Sequence, residues 1–135
     1  MTAALATFFD SLAAAWNGGE VTTIADHFAL PLMVATDTAT HFIEDDDALD
    51  TLIEGVLAGW ATHGVVRAAA TLGEVVTLPD DAARATVAWT RHGADDAVLL
   101  AFTALYTLAA EGDEWRIVVL DAADEDRAAR AAGWR

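Results

Sequence analysis

In the first third of the chain, apolar positions recur every three or four residues, the spacing that gathers side chains on one face of a helix. Leu5, Phe8, Phe9, Leu12 and Trp16 form one such stripe, with Thr2 placed to cap its start and Asn17-Gly18-Gly19 to end it. Val21, Ile24 and Phe28 continue the period through a shorter second helix, which stops before Pro31 because the residue preceding a proline is pushed toward extended geometry. Leu32 to Ala35 and Thr40 to Ile43 then read as two short strands joined by the polar Thr36-Asp37-Thr38. A third helical stripe, Leu49, Leu52, Ile53, Val56, Leu57 and Trp60, follows Asp45-Asp46-Asp47 and closes at His63-Gly64. Acids at a helix start interact favourably with its partial positive charge, and the run lacks the glycine and spaced oxygen ligands of a calcium loop.

From Val65 onward no helical period fits. Four β-rich runs, Val65 to Leu78, Ala83 to His92, Ala97 to Ala109 and Glu114 to Asp121, are separated by short turn-forming segments, the pattern of an antiparallel meander. Ala83, Ala85, Val87 and Trp89 alternate with Arg84, Thr86, Ala88 and Thr90, giving that strand one greasier face. The next strand is apolar on both faces, with Leu100, Phe102, Ala104, Tyr106 and Leu108 on one and Leu99, Ala101, Thr103 and Leu105 on the other. Three helices can cover only one side of the sheet, so a second copy of the chain is the expected cover for the other. The fold class read from this order is α+β, with three N-terminal helices packed on a curved, mostly antiparallel sheet. One domain spans residues 3–122, and residues 123–135 form an alanine-rich, charged tail helix, expected to fray, in which Asp126 and Arg130 are spaced as a helix pair.

Composition narrows the partners. The 135 residues carry 22 acids against 7 bases, a formal net charge of -15 that repels a phosphate backbone, so neither nucleic acid nor an anionic membrane is expected. No apolar run reaches the roughly 18 residues of a membrane span, and the start of the chain shows no secretory signal, so a cytoplasmic protein is expected. The chain has no cysteine, which removes disulfides, thiolate metal sites and cysteine nucleophiles.

Helix, short helix, hairpin, helix and a long meander is the element order of a known superfamily. Its most specific residues here are Trp16-Asn17-Gly18-Gly19-Glu20 followed by Ile24, Ala25 and Phe28, and the late Gly112-Asp113-Glu114-Trp115-Arg116-Ile117. From Leu5 to Asp121 the chain resembles the nuclear transport factor 2-like superfamily, and within it the SnoaL-like group of cone-shaped proteins. That resemblance implies a cystatin-like α+β cone with an internal pocket. The superfamily holds isomerases, cyclases, dehydratases and hydrolases as well as non-catalytic binding modules, so the fold leaves the function open. Its enzymes combine an apolar pocket, a carboxylate base and a neutral donor for the developing oxyanion.

Several residues stand near those roles. The resemblance to steroid isomerases places Asp37 near their base, whereas their first-helix tyrosine falls on Leu12 and their fifth-strand acidic donor near Thr103 or Ala104. A polyketide-cyclase reading wants an aspartate five residues past the isoleucine of the last strand; Asp121 stands four past Ile117, and an offset of one turns a strand side chain to the opposite face. Asp37 is thus either a general base or a turn residue capping its own backbone. His41 is a proton shuttle or a core-edge histidine, and Tyr106 a pocket donor or a satisfied core tyrosine. Phe9, Trp16, Trp60, Trp89, Phe102 and Asp121 are the candidate pocket residues, the aromatics serving equally well as plain core. His27, His63 and His92 lie on separate elements, and neither a metal nor a cofactor is expected. The function read from the sequence is binding of a small, mostly apolar organic molecule, with isomerase, cyclase or hydratase turnover left open; the alternative is a dimerisation or interaction module whose cavity is filled by its own side chains.

Overall fold

The computed structural model describes residues 2–134. Helix α1 (Thr2–Gly18) buries Leu5, Phe9, Leu12 and Ala15, and ends where Gly19 turns to φ 70°, a left-handed conformation that glycine adopts without steric cost. Asn17, on its last turn, donates through Nδ2 to the carbonyl of Ala68 (3.0 Å) and accepts at Oδ1 from the Ala68 amide (2.7 Å). The side chain thereby pins the helix end to the start of a strand fifty-one residues away in sequence.

Helix α2 (Val21–Ala25) is shorter than its apolar period suggests. Phe28 leaves the helix and opens strand β1 (Phe28–Ala35), where it pairs with Ile117. Cross-strand pairing outweighs local spacing here, a common outcome where a short segment can satisfy either pattern. Pro31 consequently lies inside a strand. It falls in the register shift between Phe28 and Met33, where the ladder is already irregular and its missing N–H interrupts least.

Strand β2 (Thr40–Ile43) completes the hairpin, and helix α3 (Asp46–His63) follows. The first aspartate of the acidic run has a definite use: Asp45 is the N-cap and its carboxylate accepts from the Ala48 amide at 2.8 Å. Asp46 and Asp47 sit in the first turn, and Gly64 closes the helix at φ 74°.

The second half is the meander: β3 (Arg67–Leu78), β4 (Ala82–His92), β5 (Val98–Glu111) and β6 (Glu114–Asp121). The hairpin joins it through a parallel pairing of β1 with β6, giving one six-stranded open sheet in the order β2-β1-β6-β5-β4-β3. Every other pairing is antiparallel. The sheet is curved, and its inner face carries the core, including Ala83, Ala85, Val87 and Trp89 of β4 and Leu100, Phe102, Ala104, Tyr106 and Leu108 of β5. The outer positions of β5 are not buried within this chain: Ala101, Thr103 and Leu105 are exposed, with Ala88 of β4 beside them.

Residues 123–131 of the C-terminal segment fold back onto the sheet. Helix α4 (Ala123–Ala131) packs against β5 and reaches far back along the chain. Asp124 accepts from the amide of Thr103 (2.7 Å), on the stretch of β5 that extends beyond its pairing with β6. An otherwise unpaired strand edge is thereby closed. Asp126 accepts from the amide of Asp37 (3.3 Å), while Arg127 and Arg130 both donate to the Asp37 carboxylate. Arginines on α4 thus hold the hairpin turn from above. No helix among the described residues is long and apolar enough to cross a membrane.

Candidate functional site

Strands β4, β5, β6 and β1 curve around a cavity of about 270 Å³ that α3 and α4 close from one side. The volume lies near the lower end of the range for small-molecule sites, ~300–1,000 Å³. Aromatic rings form much of its wall: Trp16 from α1, Trp60 from α3, Trp89 from β4, and Phe102 and Tyr106 from β5. Trp16 and Trp60 meet at 6.0 Å between ring centres. Aliphatic positions of α3 and the inner faces of β1 and β6 complete the lining.

Polar side chains enter this apolar surface at few points, chiefly Thr36, Tyr106, Arg91, Glu125 and Asp126. Trp89 Nε1 donates to the Tyr106 hydroxyl at 2.9 Å, so the tyrosine accepts there and keeps its own proton to give away. Burial pushes the Tyr106 hydroxyl above its ordinary range, with the nearby negative charge of Glu125 acting the same way, so the ring stays neutral. Trp60 Nε1 is buried with no hydrogen-bond partner among the described residues.

The cation of the described lining is Arg91, at the mouth. Its guanidinium carbon lies 4.9 Å from the ring centre of Phe102 and 5.7 Å from that of Trp60, over both faces. The side chain is only 12% exposed, and it donates to Glu125 Oε2 of α4 at 2.9 Å. A second hollow of about 290 Å³ lies between α3 and α4 and shares Trp60, Arg91, Glu125 and Ala129 with the first, so the route from the cone to the surface runs between these helices. At its outer end His63 stacks on Trp134 with ring centres 4.3 Å apart.

With this geometry in view, comparison with known proteins gives the family. Residues 3–125 match the family described as NTF2-like protein (DUF6841). The chain belongs to that family. Solved structures share the fold of this NTF2-like protein at low sequence identity. Aln2 from a Streptomyces species superposes with a TM-score of 0.73 at 14% identity, covering 96% of this chain and 94% of that one. An NTF-2 like protein of unknown function from Shewanella oneidensis gives 0.70 at 15%, covering 89% and 96%. A ketosteroid isomerase-like protein from Erwinia carotovora atroseptica gives 0.66 at 17%, covering 88% and 92%. At such identities the likeness speaks for the fold alone. No curated protein matches the sequence.

The NTF2-like cone gathers some of the residues singled out from the sequence and leaves others outside. Trp16, Trp60, Trp89, Phe102 and Tyr106 line the cavity. Phe9 does not; it is fully buried behind the wall, its ring 4.9 Å from that of Tyr106, and it supports the tyrosine from the core side. Asp37 lies outside the lining, on the hairpin turn, where Arg130 and Arg127 hold its carboxyl below the ordinary carboxylate range. A carboxylate stabilised in that way is a poorer base than a free one. His41 is exposed on β2 and touches no part of the lining. Asp121 pairs with Leu105 on the outer side of the sheet, while its neighbour Leu120 faces the cavity. The register shift in the β5–β6 ladder fixes that orientation, and Asp121 Oδ1 accepts from the Ala123 amide at 3.1 Å.

Arg91 and Glu125 are the polar residues that sequence reasoning passed over. Arg91 carried a signal, since it continues the alternation of Ala83, Ala85, Val87 and Trp89 and is therefore a charge on the greasy face of β4. Glu125 carried none, standing in a run of alanines and mixed charges.

Proposed function

We propose that this NTF2-like protein binds a small, mostly apolar organic molecule in its cone, with the molecule's hydrogen-bond acceptor directed at Tyr106 and Arg91. The observation that supports this most is the cavity itself, about 270 Å³ walled by aromatic and aliphatic side chains, with Tyr106 and Arg91 in its lining. A module whose cavity is filled by its own side chains fits that observation less well. Binding is the reading favoured over turnover, because the two carboxylates in the lining, Glu125 and Asp126, are held by Arg91 and Arg130.

The test is thermal denaturation against a panel of apolar compounds with and without a carbonyl group. A ligand that binds only the folded state raises the melting temperature. Stabilisation by carbonyl compounds that is lost in Ala129→Trp, which fills the cavity from α4, is the expected result. A panel that leaves the melting temperature unmoved throughout overturns the reading.

We propose further that a second copy of the chain covers the outer face of the sheet. The uncharged, exposed row of Ala88, Ala101, Thr103 and Leu105 supports this in a chain of net charge -15.

A further inference from the structure

We infer that the ligand of the cone is an amphipathic organic carboxylate, and that Glu125 occupies the seat of its carboxylate when no ligand is bound. The inference rests on the binding role proposed above and names the chemical class of the molecule.

Arg91 is the starting point. An arginine side chain 12% exposed, lying over two aromatic faces, has lost most of its hydration and requires an anion close by. Glu125 supplies it through one contact, Nη2 to Oε2. A guanidinium offers five N–H donors in a planar fork that suits a carboxylate approaching with both oxygens, so one contact leaves donors over. The hydroxyl proton of Tyr106 likewise goes to no acceptor among the described residues. A carboxylate with an apolar body satisfies the spare N–H groups of Arg91, this hydroxyl and the apolar walls together.

Glu125 is free to yield its place. It is 26% exposed, and α4 is fastened independently of it by Asp124 on the Thr103 amide and by Arg127 and Arg130 on Asp37. The glutamate can turn to solvent while the helix stays in place. The chain's overall negative charge works against an anion at a distance, but screening confines that repulsion to about 8 Å at physiological salt, and contacts inside the cone are shorter.

The experiment is calorimetric titration with octanoate, its methyl ester and octanol against the unaltered protein, Glu125→Gln and Arg91→Gln, each variant first checked for cooperative unfolding. The readout is the ratio of acid to alcohol affinity. In the unaltered protein octanoate is expected to bind roughly tenfold or more tighter than octanol, as a charge-assisted hydrogen bond provides. Removing the competing carboxylate in Glu125→Gln raises the ratio by roughly a further tenfold. Arg91→Gln brings it to about one, and if that variant does not fold, Glu125→Gln alone decides the question. Alcohol and ester binding as well as the acid, or a ratio unmoved in Glu125→Gln, overturns the carboxylate assignment and leaves the binding role standing. Failure of all three compounds to bind overturns the carboxylate assignment, and the binding role falls with it only if the wider panel also leaves the melting temperature unmoved.

Discussion

The indole N–H of Trp89 donates to the hydroxyl oxygen of Tyr106 across the β4–β5 pair, at 2.9 Å, inside the cavity wall. The bond makes the tyrosine oxygen an acceptor and leaves its own proton to be donated, and burial keeps it neutral. Its titration is therefore tied to folding. The folded-state pKa lies above the unfolded value, near 10, so the stabilisation is complete below that pH and declines as pH rises beyond it. Ultraviolet titration should show no tyrosinate in the folded protein at pH values around 10, with ionisation accompanying alkaline unfolding. A tyrosinate signal rising while the fold persists would contradict this.

Tyr106→Phe leaves the Trp89 N–H buried without an acceptor, which costs about 1–3 kcal/mol. Urea denaturation of the pair Tyr106→Phe and Trp89→Phe, alone and together, measures the coupling. The double variant should lose less than the sum of the singles.

Asp37 is a fastener for α4. Asp37→Asn should speed amide exchange in residues 123–131 and at Thr103 while leaving exchange in α1 unaltered. Its carboxyl is depressed by Arg130 and Arg127, so its contribution is present above the unfolded value near 4 and is lost as pH falls through the lower folded value. Exchange in α4 should accordingly accelerate in acid, and also in high salt, which screens exposed pairs.

Asn17 stands in for a strand at the edge of β3, giving and receiving one hydrogen bond with Ala68. Asn17→Ala removes both and should destabilise by about 1–3 kcal/mol, and Asn17→Asp, which turns a carboxylate oxygen against the Ala68 carbonyl, should destabilise as well. Chemical denaturation orders the three proteins.

A dimer through the outer face should be visible by light scattering at micromolar concentration. Leu105→Asp, which charges the large apolar side chain of the exposed row, should give a monomer with an unaltered far-ultraviolet spectrum. A wild-type chain that is monomeric throughout would remove this assembly.

The parts of the molecule that were legible in the sequence are those whose side chains repeat against one surface. Leu5 to Trp16 and Leu49 to Trp60 each show a continuous face to the core, and Ala83 to Trp89 alternate with a sheet's period, so pattern alone yields α1, α3 and β4. Phe28 departs from its pattern because its spacing suits a helix while its partner, Ile117, is eighty-nine positions away. For α4 there was no stripe to read. What holds it is a set of single contacts to Asp37, Arg91 and Thr103, each remote in sequence, and no periodicity reports such contacts. The aromatic wall could be guessed from composition, but its polar end depended on which face Arg91 and Asp121 took. Arg91 follows the alternation inward, and Asp121 is turned outward by a shift in the β5–β6 ladder that leaves no mark in the sequence.

The capping of β5 by Asp124 bears on how this protein can be handled in the laboratory. A version trimmed after Asp121, where the meander ends, would strip the cover from a backbone amide in the middle of a long strand and open one side of the aromatic chamber in the same cut. Such a fragment would tend to find its missing hydrogen bonds in its neighbours, and turbid preparations would report the loss of nine helical residues rather than any defect in the sheet.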